Sequence, residues 1–274
     1  MVYFDNAATT SLDPEVKAVL IDVLDTFGNP SSTHAEGRKA RALVETARKE
    51  IAALVGCTPG EIIFTSGGTE ADNWALKGAV RDLGVRRILT SPVEHHAVLH
   101  VAEELAAQGL CDTRLAPVDS RGDVNLHWLE QELQAAQAEG VSVLVSLMHG
   151  NNEIGNLLPI EEVGALCKKY GAWFHSDMVQ TLAHFPVDFS QLPLDFSACS
   201  AHKFHGPKGI GFAYVKANSG LHPFIHGGSQ ERGHRSGTEN VLGIVGMAKA
   251  FKLAHERMEA DHQHMRALKA HTIE

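Results

Sequence analysis

Lys203 stands in the segment ACSAHKFHGPKGIGFAYV, between two histidines, after a short apolar run and before Gly206, Gly209 and Gly211. A lysine in this setting is either a surface cation on a turn or an amine at the floor of a site. A surface turn explains only the first of these glycines, whereas the whole set lets the strand GIGFAYV pass close to a ligand. Lys203 is therefore a candidate for an amine that bonds a carbonyl group.

The segment FTSGGTEADN is a candidate anion site. A strand gives way to Gly67, Gly68 and Thr69, and a helix follows that opens with Glu70. Glycines let the backbone approach a ligand closely, and the free amides of a helix start attract phosphate. The alternative is an ordinary N-cap by Thr69, because threonine satisfies a helix start unaided. Neither Walker A nor GxGxxG matches this segment.

Two further segments place polar residues after strands. In WFHSDMVQ, Asp177 follows a strand and Gln180 comes three residues later. Such an acid can hold a protonated ring nitrogen, although it is more often a cap or turn residue. In SPVEHHAV, either His95 or His96 could lie flat against an aromatic cofactor, or be an ordinary histidine among the 17 of this chain. The histidine pair lacks an HExxH context, so we predict no metal site.

These four features point to one cofactor. Each of four candidate groups follows a strand. They are a loop that could bind phosphate, an acid that could bind a ring nitrogen, a histidine that could stack on an aromatic ring, and a lysine. Pyridoxal 5'-phosphate (PLP) requires this combination, because the lysine forms a Schiff base and the acid keeps the pyridine protonated. The residues therefore predict a PLP site with Lys203 as its anchor.

The elements that must position these residues alternate along the chain. Five strand-length runs, with helix-like stretches between most of them, are EIIFTS, RRILTS, VSVLVSLM, AWFHSD and LDFSACS. This order predicts an α/β fold with a mostly parallel central sheet and helices on both faces. The helical patterns PEVKAVLIDVLDTF and AEGRKARALVETARKEIAALV stop at Gly28 and Gly56, as helix C-termini favour. From Glu239 onward we expect one long helix or two in series.

Composition excludes several classes of protein. The formal net charge is −9, with 24 Lys and Arg against 33 Asp and Glu, so we expect no nucleic-acid partner. No apolar run reaches the length of a membrane span, and the opening MVYFDNAATT lacks the features of a secretory signal, which predicts a cytoplasmic protein. The four cysteines show no CxxC and are expected to be small buried side chains, with no zinc site and no disulfide framework.

The ordered motifs resemble the cysteine desulfurases of the class V aminotransferase group, within the fold-type I PLP enzymes. They cover nearly all of residues 3–250 and are YFDNAATT, GNPSSTHAEGRKA, FTSGGTEADN, EHHAVL, MHGNNEIG, HSDMVQ, SAHKFHGPKG and GGSQERGHRSGTEN. The resemblance implies the PLP-dependent transferase fold. It also implies three parts: residues 1–13 joining a small domain, 14–255 forming the large PLP-binding domain, and 256–274 starting a helix that leads to a small domain.

The resemblance assigns a role to each matching residue. It implies that Lys203 is the Schiff-base lysine, that His95 stacks on the ring and that Asp177 binds the pyridine nitrogen. The remaining implied contacts are Gln180 on the ring hydroxyl, Asn152 beside cofactor and substrate, and a phosphate site of Gly68, Thr69, Ser200, His202 and the Thr238 of the second subunit of a homodimer.

The implied activity is conversion of L-cysteine to L-alanine, with the sulfur held as an enzyme persulfide and passed to acceptors such as iron–sulfur scaffold proteins. In the family, a catalytic cysteine and an arginine for the substrate carboxylate lie beyond the part that this sequence matches. We therefore expect the 274-residue chain to bind PLP but to release little sulfide alone. The alternatives are another class V activity, such as an aminotransferase or a selenocysteine lyase, and a non-catalytic PLP-binding remnant that acts as an interaction protein.

Overall fold

The structure is a computed structural model and describes residues 2–273. Its helices and strands are, in chain order, α1 (Pro14–Val23), α2 (Ala35–Leu54), β1 (Ile62–Thr65), α3 (Gly68–Asp82), β2 (Arg87–Thr90), α4 (His96–Ala107), β3 (Asp112–Leu115), α5 (Leu126–Glu139), β4 (Val143–Ser146), α6 (Ile160–Tyr170), β5 (Trp173–Asp177), β6 (Phe196–Ser200), β7 (Gly211–Val215) and α7 (Val241–Ile273). The predicted alternation of strands and helices is confirmed.

The strands form one sheet in the order β1-β7-β6-β5-β4-β2-β3. Strands β3, β2, β4, β5 and β6 pair in parallel, while β7 runs antiparallel to both β6 and β1. The predicted mostly parallel sheet is therefore confirmed. Because β1 and the parallel strands point the same way, the loops that follow them gather at one edge, where ligands of open α/β sheets bind.

Helices cover both faces of the sheet. Helices α3 and α4 bury Trp74, Val98 and their neighbours against one face, and α2, α5, α6 and α7 bury a larger cluster around Phe174 and Phe251 against the other. Apolar burial on both faces explains why the central strands are almost entirely apolar or small. Helices on both faces were predicted, and the packing confirms them.

The segment before α1 and the first part of α7 both pack beside the connection between β6 and β7. Residues before α1 run past the β6–β7 connection, where the backbone N–H of Thr10 donates to the carbonyl of His202. From Glu239 onward the sequence allowed one helix or two, and the structure has the single helix α7, with buried residues up to Leu253. Met1 and Glu274, the outer ends of the first and third predicted parts, lie outside the described residues. None of the helices within residues 2–273 is long and apolar enough to cross a membrane.

The structure corrects the predicted end of α1, adds a strand that was not predicted, and confirms the predicted end of α2. α1 ends at Val23, before Gly28. Gly28 serves a close approach instead, because a Cβ there would lie 2.2 Å from the carbonyl oxygen of Glu36. β3 was not predicted at all, because it is a partly exposed edge strand of the sequence DTRL without apolar alternation. Gly56 does follow the end of α2 with a φ of +65°, as a helix C-terminus favours.

Candidate functional site

A cavity of about 250 Å³ opens at the carboxyl edge of the sheet and collects nearly all of the predicted site residues. It is lined by Ala8, Gly68, Thr69, Asp72, His95, Met148, Asn152, Asp177, Val179, Gln180, Ser200, His202 and Lys203. A second opening of about 390 Å³ adjoins it along Ser66 to Glu70, Lys208 and Gly209. Of the predicted residues, only Thr238 lies outside this lining. Five different strand ends supply the others, as expected for the ligand edge of a parallel sheet.

The start of α3 has no side-chain cap and lines both openings. The helix begins at Gly68 with Gly67 as its N-cap, and no side chain caps it, so the alternative of a cap by Thr69 is wrong. The first amides of a helix have no partner within the helix and attract anions. A Cβ at Gly68 would lie 2.6 Å from Cγ2 of Val179, and one at Gly211 would lie 2.8 Å from the Cα of Gly67. Glycines therefore let β7 and the loop approach each other closely, as predicted.

Lys203 ends a short 3-10 turn, Ala201–Lys203, that directly follows β6. Its half-buried amine donates to the carbonyl oxygens of Ala7 and, at 3.1 Å, Ala8. Burial lowers the pKa of Lys203, while the nearby Asp177 opposes that effect. The lower pKa increases the fraction of neutral amine, which is the nucleophilic form.

Asp177 is the last residue of β5 and is almost fully buried. Its Oδ1 accepts a hydrogen bond of 2.9 Å from the backbone N–H of Val179. Burial, reinforced by the nearby carboxyl of Asp72, raises the pKa of Asp177 to about 7. A cation placed in the cavity beside this carboxyl would favour its ionised form.

The structure distinguishes between the two candidate histidines. His95 is the N-cap of α4, where its Nδ1 accepts from the N–H of Ala97 at 3.1 Å, and it also lines the cavity. This hydrogen bond places the ring proton on Nε2 when the imidazole is neutral. His96 does not line the cavity, and its ring stacks on His100 with centroids 4.7 Å apart.

Three other predicted residues are tied to neighbouring loops. The Nε2 of Gln180 donates to the carbonyl of Ala7 at 2.9 Å, beside the lysine amine. His202 places its Nδ1 3.1 Å from Oγ1 of Thr9, and burial lowers its pKa. Asn152 donates to the side chain of Glu153 at 3.0 Å at the rim of the cavity. The N-terminal segment therefore forms one wall of the site.

Thr238 is exposed and lies away from this cavity in the same chain. Two ion pairs hold the loop that carries it. Arg235 contacts Glu70 at 2.9 and 3.2 Å, and the buried Glu231 makes two bonds of 2.8 Å to the guanidinium of Arg48. The loop is therefore fixed beside the start of α3, with Thr238 facing outward.

Sequence reasoning missed two buried acids, Asp72 in the cavity lining and Glu94 next to His95. Asp72 lies in α3 four residues after Gly68, so the two share one face of the helix, which was the available signal. Glu94 precedes His95, and burial raises its pKa to about 8. Both acids are at least nine-tenths buried. Buried acids that face a cavity are typical of functional sites.

None of the four cysteines in the described part of the chain lines this cavity. Cys167 and Cys199 are buried, and Cys57 and Cys111 are partly buried, as the sequence predicted in outline. Burial raises the pKa of all four thiols, that of Cys57 to about 12. Such thiols are poor nucleophiles near neutral pH.

Comparisons with known proteins agree with this fold. The family model of the class V aminotransferases matches residues 2–274. The cysteine desulfurase IscS of Dictyoglomus turgidum is 46% identical over 99% of this chain and 68% of its own length. A solved NifS-like protein superposes with a TM-score of 0.93 at 41% identity, over 99% of this chain and 74% of that one. A solved structure described as SspA in complex with cysteine gives a TM-score of 0.83 at 35% identity, over 92% of this chain and 72% of that one.

The chain belongs to the class V aminotransferase family, with the PLP fold-type I architecture of the NifS-like structures. The chain spans about two thirds of the length of the curated relative from D. turgidum. Within the family it groups with the cysteine desulfurases, as the sequence motifs indicated.

Proposed function

We propose that this chain binds PLP through Lys203 and acts as a cysteine desulfurase on L-cysteine. The observation that carries the proposal is the cavity that brings together nine of the ten predicted residues, in a chain of the cysteine desulfurase family. The relative whose structure is described as a complex with cysteine supports the choice of substrate.

The residues of the cavity match the groups of PLP one by one. The uncapped start of α3 and the side chains of Thr69, Ser200 and His202 would hold the phosphate. Asp177 would accept a hydrogen bond from the protonated pyridine nitrogen, and Gln180 would contact the ring hydroxyl. His95, fixed by its bond to Ala97, would lie against the ring face. Asn152 at the rim would contact both cofactor and substrate.

PLP supplies, when bound, an aldehyde that reacts with amines and a ring that withdraws electrons from the α-carbon of an amino acid. The chain's own residues complete this chemistry. Lys203, with its lowered pKa, holds the cofactor and then moves a proton at the substrate α-carbon. Asp177 keeps the ring nitrogen protonated, because its carboxylate pairs with that cation in a buried site.

Borohydride reduction followed by peptide mass mapping tests the anchor. The purified protein should be yellow and should carry the reduced cofactor on Lys203, and Lys203→Ala should abolish the adduct. Lys208→Ala is the matched control, because Lys208 lies in the adjoining opening and should leave the adduct intact. An adduct on Lys208, or none, would contradict the assignment.

Product analysis with L-cysteine distinguishes the enzyme classes. With an added thiol reductant, which supplies the two electrons that convert the released sulfur or selenium to sulfide or selenide, alanine with sulfide indicates a desulfurase and alanine with selenide from selenocysteine indicates a lyase. A keto acid indicates an aminotransferase. PLP binding without any product would favour a non-catalytic interaction protein.

The sulfur acceptor must come from outside the cavity lining, because no cysteine of the described residues reaches the site. We therefore expect slow sulfide release from the 274-residue chain with L-cysteine and the added thiol reductant, which takes the sulfur in place of an enzyme thiol. Replacing all four cysteines by alanine should leave that slow rate unchanged. Robust turnover that these replacements abolish would reveal an internal nucleophile. Transfer of sulfur to acceptors such as iron–sulfur scaffold proteins, and a cytoplasmic location, stay predictions.

A homodimer completes the proposed site. Thr238 is exposed on a fixed loop beside the start of α3, as a residue that reaches the phosphate of a second protomer must be. The hydroxyl would donate one charge-assisted hydrogen bond to that phosphate. A monomer that retains PLP normally would contradict this arrangement.

A further inference from the structure

Behind Asp177, two buried polar atoms face each other without a hydrogen bond. Oδ1 of Asp72 and Nε2 of His175 lie 3.3 Å apart, and neither has a hydrogen-bond partner among the described residues. Both residues are at least 99% buried. Buried polar atoms in folded proteins are almost always paired, so two adjacent exceptions call for an explanation. A proton held between these two atoms would satisfy both.

The orientation of His175 is fixed by the sheet. His175 and Asp177 are two residues apart on β5, so their side chains emerge on the same face of the strand. Nδ1 of His175 lies 2.8 Å from Oγ of Ser146 on the neighbouring strand β4. With Nδ1 held in this way, Nε2 is the nitrogen that faces Asp72.

Asp72 in turn faces the cavity. It belongs to α3, the helix whose start forms the proposed phosphate site, and it lines the same cavity as Asp177. The titratable groups that act on these residues come from several elements and are Asp72, Glu94, His95, His175, Asp177, Cys199 and Lys203. Only Lys203 ordinarily carries a positive charge at neutral pH, and its amine is turned to the carbonyls of the N-terminal segment.

Buried carboxyl groups without a cation cannot all ionise. Burial raises the pKa of Asp72 well above its ordinary value, whereas an N–H donated by Nε2 of His175 would support the ionised form of Asp72, and in that form Asp72 raises the pKa of Asp177 further. Burial lowers the pKa of His175 to about 4, so its imidazole is neutral and offers one N–H and one lone pair. A protonated ring nitrogen beside Asp177 would supply the missing positive charge and let both carboxyls ionise.

We propose that Asp72, held by a proton shared with Nε2 of His175, is the second carboxyl group that sets the proton affinity of Asp177 and, through it, of the cofactor ring nitrogen. Asp72 and His175 are positioning residues in this scheme, since neither contacts the reacting atoms. The effect of Asp72 on the ring nitrogen rests on the proposed function. The effect of Asp72 on Asp177 is independent of the proposed function, because it exists in the cofactor-free protein.

The first test follows the titration of Asp177 in the cofactor-free protein. Aspartate labelled with ¹³C at the carboxyl carbon gives an NMR signal for each residue, and Asp177→Asn assigns the one of interest. Asp72→Asn should move the titration of Asp177 to lower pH by about one unit, because a like-charged neighbour is removed. Asp82→Asn, at the far end of α3 and paired with Arg81, is the matched control and should cause no shift.

His175→Leu tests whether the two residues act as a pair, because leucine fills the buried position but has no N–H to donate. It should move the titration of Asp177 in the same direction, because Asp72 loses the N–H that supports its ionised form. In the Asp72→Asn background it should add almost nothing, which is the signature of coupled residues. A full shift in Asp72→Asn with none in His175→Leu would overturn the pair, and no shift in Asp72→Asn would overturn the whole proposal.

Two further measurements cover a variant that does not fold and the effect on the bound cofactor. If Asp72→Asn does not fold, Ser146→Ala frees Nδ1 of His175 and should give a smaller shift of the Asp177 titration in the same direction. No shift would overturn the proposal.

In protein loaded with PLP carrying ¹⁵N in the ring, Asp72→Asn should move the ring signal toward its unprotonated value at fixed pH. An unchanged ring signal would overturn the effect on the cofactor. Failure of the wild type to bind PLP would refute the proposed function, while the titration of Asp177 would still test the pair.

Discussion

Replacement of Glu94 by glutamine should flatten the pH dependence of folding stability in the cofactor-free protein. The buried Oε1 of Glu94 accepts hydrogen bonds from the hydroxyl of Ser91 at 2.8 Å and the backbone N–H of Met148 at 3.0 Å. Its Oε2 has no partner among the described residues. Glutamine keeps the accepting oxygen and the shape but cannot ionise. It therefore resembles the protonated acid at every pH.

The size of the effect follows from the raised pKa of Glu94, which burial moves from 4.5 to about 8. A group whose pKa rises on folding stabilises the fold fully below its unfolded pKa, and this stabilisation is lost as pH rises through the folded pKa. Near neutral pH the folded protein holds almost one more proton at Glu94 than the unfolded chain. The free energy of unfolding therefore falls by about 1 kcal/mol per pH unit through Glu94 alone. Asp177, with a pKa raised to about 7, adds a smaller loss of the same sign.

Urea denaturation of the cofactor-free protein between pH 6.5 and 8, at constant ionic strength, measures this slope. The window starts at 6.5 because the pKa of His175 falls from 6.5 to about 4 on folding, so its contribution changes mostly at lower pH, and the part that remains is common to the wild type and the variant. Glu94→Gln should lose about 1 kcal/mol less per pH unit than the wild type. Glu50→Gln, an exposed residue of α2, should keep the wild-type slope. Equal slopes for Glu94→Gln and the wild type would refute the reasoning.

Three further changes test the cofactor site and its supports. Gly68→Ala should weaken PLP binding at least about tenfold in equilibrium dialysis, because its Cβ would lie 2.6 Å from Val179 and displace the helix start; unchanged binding would contradict the phosphate site. Thr238→Ala should weaken PLP retention by roughly 1.5–3 kcal/mol without separating the proposed dimer in size-exclusion chromatography. Glu231→Gln should lower the free energy of unfolding by roughly 3 kcal/mol in urea, since it leaves the buried Arg48 with only the partly buried Glu45 as a charged partner, and Arg48→Met in that background should restore part of the loss.

The sequence predicted which candidate residues lie together because several of them follow a strand closely. Asp177, Ser200 and Lys203 lie at or within three residues of a strand end, and parallel strands bring such ends to one edge. The alternation of strands and helices therefore implied their proximity before any distance was known. The residues alone left His95 and His96 as alternatives, and only the resemblance implied His95. The structure places His95 in the cavity lining because it is the residue directly before α4.

Other features depended on packing that no local pattern reveals. Asp72 resembles a solvent-facing helix residue in sequence, and only the docking of α3 across β5 and β6 shows that it is buried behind Asp177. The early end of α1 depends on the close approach of Gly28 to α2. β3 exists because β2 offers it a parallel ladder, since its own residues carry no strand signal. The position of Thr238 relative to a phosphate depends on a second protomer.

The buried acids that destabilise the cofactor-free protein at higher pH also favour the binding of a positively charged group. Glu94, Asp72 and Asp177 all have pKa values raised by burial, so the cofactor-free site is stable only while it holds extra protons. A ligand that brings positive charge to Asp177 removes that need, and it stabilises the folded state most at the higher pH values where the empty site is weakest. The stabilisation of the fold by PLP should therefore increase with pH between 6.5 and 8, and Glu94→Gln should reduce that increase.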